Sequence, residues 1–177
     1  KDAADLINRE SDKLINVFLQ AERNRNIANA KKYEERGLRD VVTATFGGSP
    51  YFPKGYTLKK KTEDFIWISY ETNYTIQGIF VYKYPFRDSS DFTPSRILEI
   101  RNEVLARNVP GPLENTYMTT NMTIDPGFRW VKYNKRTFVE LRDLWEVQND
   151  FMGGPFVDHV FLDKEKKNLI ILEAFVY

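Results

Sequence analysis

The sequence predicts an α+β fold: a mainly antiparallel sheet of about six to eight strands covered by two main helices. Three observations predict it. Apolar residues recur at helical spacing through the first part of the chain, the apolar period falls to two after Pro50, and one helical stretch at about 93–108 interrupts the strand-like runs. Residues 1–177 then form a single domain, with a helical N-terminal part (1–47) and a sheet with one inserted helix (48–177). The length of 177 residues and a hydrophobic content of 42% suffice for one core. Phe, Tyr and Trp make up 15%, so ring packing carries much of the burial.

From Asp5 to about Tyr33, Ile7, Leu14, Phe18, Ala21 and Ala28 repeat on one helical face. The second half, ERNRNIANAKKYEER, loses most of that face and reads as a solvated or partner-covered extension ending near Gly37. LRDVVTATF, running into Gly47-Gly48, is a second, short helix. In DFIWISYET (64–72), Phe65, Trp67 and Ser69 share one face and Ile66, Ile68 and Tyr70 the other, with apolar weight on both as in a central strand. YTIQGIFVYKYPF (74–86) follows through a hairpin turn, with Gly78 inside it and Pro85 stopping the ladder. Thr93, Pro94 at the first helical position and the stripe Ile97, Leu98, Ile100, Val104 and Leu105 define the inserted helix, which VPGP ends. TYMTTNMTI, FRWVKY, TFVELRDLWEV, PFVDHVFLD and NLIILEAFVY are five further strand-like runs, the last three a meander. The helices are expected on one face of the sheet.

Composition removes several function classes. Lys plus Arg (26) and Asp plus Glu (25) leave a net +1, too little to draw the chain onto nucleic acid or an acidic membrane. The lack of cysteine excludes disulfides, thiolate metal sites and thiol nucleophiles. No apolar run approaches the roughly 20 residues of a spanning helix, and KDAADLINRESDK lacks the apolar core of a signal peptide. The chain stops inside the strand-like NLIILEAFVY, and both ends are expected to be cuts from a longer protein. No GxSxG, Walker loop, GxGxxG or HExxH occurs.

The densest stretch is LWEVQNDFMGGPF (144–156). If Thr137 to Asn149 is extended, Val139, Leu141, Asp143, Trp145 and Val147 share one face, and Phe138, Glu140, Arg142, Leu144 and Glu146 the other. The capping-box spacing of Thr137 and Glu140 also permits a helix, against which the β-rich neighbours argue. Asp143 is a carboxylate on an apolar face. Either it is paired or carries a raised pKa, or a bulge or an end-of-sheet position gives it to water, and the second reading is preferred. Glu140 and Glu146 lie about 20 Å apart on one strand, too far for a carboxylate pair, so any pair must form across strands. His159 stands alone between Asp158 and Val160, with no second His or Cys to complete a zinc site, so no metal and no cofactor is expected. Asp163 is expected to start the DKEKKN turn. Tyr70, Tyr74, Tyr82, Tyr84 and Phe86 are rings for stacking on sugars or peptide, or, as is more usual, for filling a sheet–helix core.

The series FPKGYTLKK, DFIWISYET, QGIFVYKYPF, VLARNVPGP, TYMTT, ELRDLWEVQNDFMGGPF and EAFVY resembles an uncharacterised family of Bacteroidetes envelope lipoproteins, a domain of unknown function (4837), over nearly the whole chain. The resemblance implies a bacterial envelope location and an N-terminal lipid outside these residues as the only membrane attachment, and it supplies no activity to carry over. It also implies that this chain is the C-terminal portion of a longer lipoprotein. Asp143 stands where the family pattern has Gly, which speaks against an essential acid there.

The leading expectation is a non-enzymatic envelope domain that binds a protein or glycan partner, with Trp67, Tyr70, Tyr82, Tyr84 and Trp130 as binding candidates. LWEVQNDFMGGPF is then structural: Trp145 and Val147 enter the core, Asn149 and Asp150 turn the chain, Phe151 and Met152 plug the end of the sheet, and Gly153-Gly154-Pro155 resets it for the next strand. One alternative is a hydrolase acting on envelope polymers, with Glu140, Asp150, Asp158 and His159 in one cleft. Another is a small-ligand carrier with an aromatic pocket built from Trp67, Tyr82 and Trp130.

Overall fold

The computed structural model describes residues 3–133 and 135–177. Three helices, α1 (Ala3–Arg9), α2 (Ser11–Lys32) and α3 (Arg36–Phe46), precede strands β1 (Thr57–Lys61), β2 (Phe65–Glu71) and β3 (Ile76–Pro85). A 3-10 turn (Ser89–Phe92) leads into α4 (Pro94–Asn108), and β4 (Met118–Thr120), β5 (Gly127–Tyr133), β6 (Arg136–Val147), β7 (Gly153–Leu162) and β8 (Asn168–Val176) complete the chain. The α+β class is the one the sequence predicts, as is the order of helices, strands, one inserted helix and a strand-rich C-terminal part.

All eight strands join one antiparallel sheet in the order β1-β2-β3-β8-β7-β6-β4, with β5 also beside β6. β6 is long enough to serve two partners on one edge: β5 pairs with Arg136 to Arg142, and β4 with Trp145 to Val147. β6, β7 and β8 form the expected meander. β1, which the sequence reading had not defined, is an exposed edge strand carrying Lys59, Lys60 and Lys61 and a register shift between Leu58 and Lys60, both of which deter edge-to-edge pairing.

The helices do not share one face of the sheet. α4 packs Ile97, Leu98, Ile100, Val104 and Leu105 against Phe80, Tyr82, Leu141, Phe156, Ile171 and their neighbours. α3 lies on the opposite face, where Val42 joins Phe52, Ile66, Ile68, Val81 and Ile170. The alternation explains the difference, because β2 and β3 carry apolar side chains on both faces and water must be excluded from each. The first helical segment is the second correction. α2 buries no residue, and Leu14, Val17 and Phe18 are exposed. No described helix is long and apolar enough to cross a membrane.

Gly78 shows how tightly the larger core is closed. It faces Phe175 across the β3–β8 pair, and a Cβ there would lie 1.9 Å from Cε1 of that ring. The ring is itself fixed against Phe80 and Trp145. Gly78→Ala is expected to lower stability by about 2 kcal/mol, read from the urea midpoint, because a packed core answers added volume with strain.

Candidate functional site

Two polar clusters sit on opposite faces of the same strands. On the face away from α4, register places Arg129 opposite Glu140, Glu140 opposite His159, and Gly127 opposite Arg142. The Glu140 side chain is only 8% exposed. Its Oε1 accepts from Arg129 Nε (3.0 Å) and Arg142 Nε (2.7 Å) and lies 2.8 Å from Arg129 Nη2, while Oε2 lies 3.4 Å from His159 Nε2. Partial burial works to raise the Glu140 carboxyl. The Arg142 hydrogen bond and charge, the His159 contact and the Arg129 charge together outweigh it and hold the group below the usual carboxylate range. The His159 ring rests on Phe138 with centroids 4.8 Å apart.

Both guanidinium groups are mostly exposed, and the Arg142 Nη atoms make no hydrogen bond among the described residues. They line an open groove of about 340 Å³ with Gly127, Phe128 and Glu140. Two fixed cations thus meet one carboxylate, with a half-exposed imidazole beside them. An ionised Glu140 whose oxygen is shared by two arginines is poorly placed to donate or abstract a proton. Spare N–H groups in a fixed fork are suited to holding an anion.

The second cluster lies under α4. Arg101, fully buried, donates from Nε and Nη2 to the two Glu173 oxygens (3.0 and 2.7 Å) and from Nη1 to Thr120 Oγ1 (2.9 Å), and its guanidinium lies 3.8 Å from the centre of the Phe156 ring. Asn102 Oδ1 accepts from both the Thr120 amide and hydroxyl, fixing α4 to β4. Asp158 faces Glu173 directly across the β7–β8 pair, also fully buried. Burial first, then the Glu173 charge, pushes the Asp158 carboxyl well above its usual range, against the pull of Arg101. Burial likewise raises Tyr82, whose hydroxyl has no partner within the described residues, and the charges of Asp158 and Glu173 add to it.

Asp143 joins this side. Register is unbroken from Val139 to Glu146, so no bulge rotates it outward, and it is buried rather than wet. Its Oδ1 accepts from the Leu144 amide, while Oδ2 has no partner among the described residues. Burial raises its carboxyl, and the Leu144 hydrogen bond and Arg101 offset part of that. The preference for a wet Asp143 therefore fails, because an alternating strand cannot turn one member outward without a register shift.

Of the four hydrolase candidates, only Glu140 and His159 meet. Asp158 points to the other face, as the neighbour of His159 on a strand must, and Asp150 lies in the β6–β7 turn, bonding the Phe151 amide. Among the binding candidates, Tyr82 is core, Trp67 is half-buried with its Nε1 unpartnered among the described residues, and Tyr84 lies half-buried beneath Arg96. Tyr70 stacks with Tyr56 on the α3 face, and Trp130 is exposed and contacts Phe92. Neither groove described among these residues brings them together. Among the described residues, no group of three or more His, Cys, Asp or Glu is placed to hold a metal ion.

In LWEVQNDFMGGPF several contacts differ from those expected. Trp145 is buried and donates to the Val176 carbonyl (3.1 Å), Asn149 takes a positive φ of 62° in the turn, and Met152 packs on the core. Phe151 plugs nothing and is fully exposed. Gly153 and Gly154 lie within β7 without a positive φ, and what they permit is close approach: a Cβ at Gly154 would lie 2.1 Å from the Val176 carbonyl oxygen. Pro155 sits one residue before pairing with β8 begins. Asp163 does bind the turn after β7, accepting from Lys167 and Asn168.

Arg101, Glu173, Arg129 and Arg142 were not singled out from sequence. The first two carried the signal that marked Asp143: Arg101 interrupts the apolar stripe of its helix, and Glu173 shares a strand face with Leu169, Ile171 and Phe175.

A family model described as Domain of unknown function (DUF4837) matches residues 35–177. No curated protein and no solved structure matches the chain.

Proposed function

The chain belongs to this family, DUF4837, and from that premise we propose that it is a non-catalytic domain of the bacterial cell envelope that binds a protein or glycan partner through a negatively charged group. The observation that carries the reading is the fork of Arg129 and Arg142, fixed by one nearly buried carboxylate and open to a groove of about 340 Å³. Glu140 orients the two side chains before a ligand arrives, which lowers the entropy lost on binding. Planar guanidinium groups bind carboxylate and phosphate in pairs of hydrogen bonds, and His159 adds a further donor when protonated. The envelope location and a lipid tether outside residues 1–177 rest on the resemblance of the motif series. The hydrolase reading is weaker because Asp150 and Asp158 stand apart from the Glu140–His159 contact, and the carrier reading because Trp67 and Tyr82 are spent in the core.

The test is an NMR titration of the protein with short uronate- or phosphate-bearing oligosaccharides, acidic peptides and neutral counterparts. Anionic members are expected to shift the Arg129, Arg142 and His159 resonances, with Arg142→Gln weakening binding about tenfold, the effect of one lost charged hydrogen bond. Equal binding of neutral members, or an unaffected Arg142→Gln, would sink the reading.

A further inference from the structure

We propose that Asp158 and Glu173 form a buried proton-binding site, holding one proton between their carboxyl groups and thereby seating α4 on the sheet. The argument begins with register. The two residues are direct partners across β7 and β8, they point to the face that α4 covers, and both are fully buried. Glu173 spends both oxygens on Arg101, the geometry of an ionised carboxylate gripping a guanidinium side-on. Neither Asp158 oxygen receives an N–H or O–H from the described residues, and the residue opposite it in the sheet is Glu173. Two carboxyl groups facing each other away from water strongly disfavour being ionised together. A proton on Asp158, donated to Glu173, removes the repulsion and turns an unpartnered acid into a hydrogen-bond donor.

Charge balance leads to the same state. The groups that face Asp158 are Glu173 from β8, Tyr82 from β3, Asp143 from β6 and Arg101 from α4. Arg101 is the one cation among them, matched by Glu173 alone, so each further ionised carboxyl leaves uncompensated negative charge in the core. The direction of the Asp158 titration, upward chiefly through burial, agrees with the geometry.

The consequence is a domain that tightens in acid and loosens in alkali around the α4–β7–β8 contact. An acid whose folded pKa stands above its unfolded value makes the native state bind more protons than the unfolded one. The contribution of this site is therefore fully present below the unfolded value near 4 and is lost as pH rises toward the folded value, with the unfolding constant increasing by up to tenfold per pH unit. Asp143, also raised by burial, adds a slope of the same sign to both proteins compared below, while Glu71, Asp88, Glu140 and Asp163, all shifted downward, act in the opposite sense at and below the ordinary carboxylate range.

Urea unfolding of the protein and of Asp158→Asn at pH 5, 7 and 9 tests the site. Asn keeps a permanent donor toward Glu173 and cannot ionise, so its midpoint is expected to fall less than that of the parent between pH 5 and 9, and the gap should widen with pH. Parallel slopes for the two proteins would overturn the proposal. A second measurement needs no variant: the Asp158 carboxyl carbon should keep the resonance position of a protonated acid at pH 7, where exposed aspartates have ionised. An ionised position at pH 5 would overturn it as well.

Discussion

Arg101→Leu is expected to lower stability by about 3–5 kcal/mol at pH 7, the usual loss when one partner of a buried ion pair is removed. The variant leaves Glu173 without its bidentate partner and Thr120 without the Arg101 donor, all within a fully buried site. For a chain of this length the melting temperature should fall by roughly 10 °C, and calorimetry reads it directly. The loss should be smaller at pH 5, where the orphaned carboxyls take up protons more readily. Glu173→Leu in the same chain should restore much of the stability, since replacing both partners with apolar groups of similar volume is often neutral. A shift below about 2 °C in the single variant would show that the pair contributes little.

Gly154→Val is the second large effect, with an expected loss of about 3 kcal/mol. The new Cβ would lie 2.1 Å from the backbone oxygen of Val176 and 3.1 Å from Trp145 Nε1. The obstacle is backbone, which cannot rotate away as a side chain could. The hydrogen bond between Trp145 and Val176 would have to lengthen, adding its own loss to the overpacking. Urea unfolding measures the first quantity, and a red-shifted tryptophan emission reports the second. An unchanged midpoint would mean that the end of β8 around Val176 shifts away from Gly154 at little cost.

Strand positions in this chain were legible because alternation is strong. Phe65, Trp67 and Ile68, or Val139, Leu141 and Trp145, announce their faces without help from context. What the alternation also contained, and what composition hid, is the polar row within the apolar face. Asp158 sits between Phe156 and Val160, and Glu173 between Ile171 and Phe175, so each reads locally as one odd residue. Only the β7–β8 register turns the two into a pair, and pairing partners between strands are not encoded in any one strand. The same holds for Glu140 and His159, which come together because β6 and β7 are neighbours, and for Arg129, which reaches Glu140 from β5. The placement of α3 and α4 on opposite faces was implicit in the two-sided apolar pattern of β2 and β3. The expectation of one covered face came instead from helix order, which carries no such information.

The sheet order has a further consequence for how the molecule is made. Of the eight strands, the last to be synthesised lies inside the sheet: β8 sits between β3 and β7, with Val176 beside Gln77 and Asn168 beside Pro85. While a ribosome is still producing the residues between them, β3 has no neighbour on that side, and its Phe80, Val81 and Tyr82 have only part of their cover. Such contacts between distant segments form slowly, and an unpaired strand is available to other chains while it waits. The β6–β7–β8 meander is local and can form first, so β8 arrives at β3 already attached to its own half. The molecule is then joined along a single seam, and that seam, rather than any helix, sets the interval in which a nascent chain is exposed to aggregation or to a chaperone.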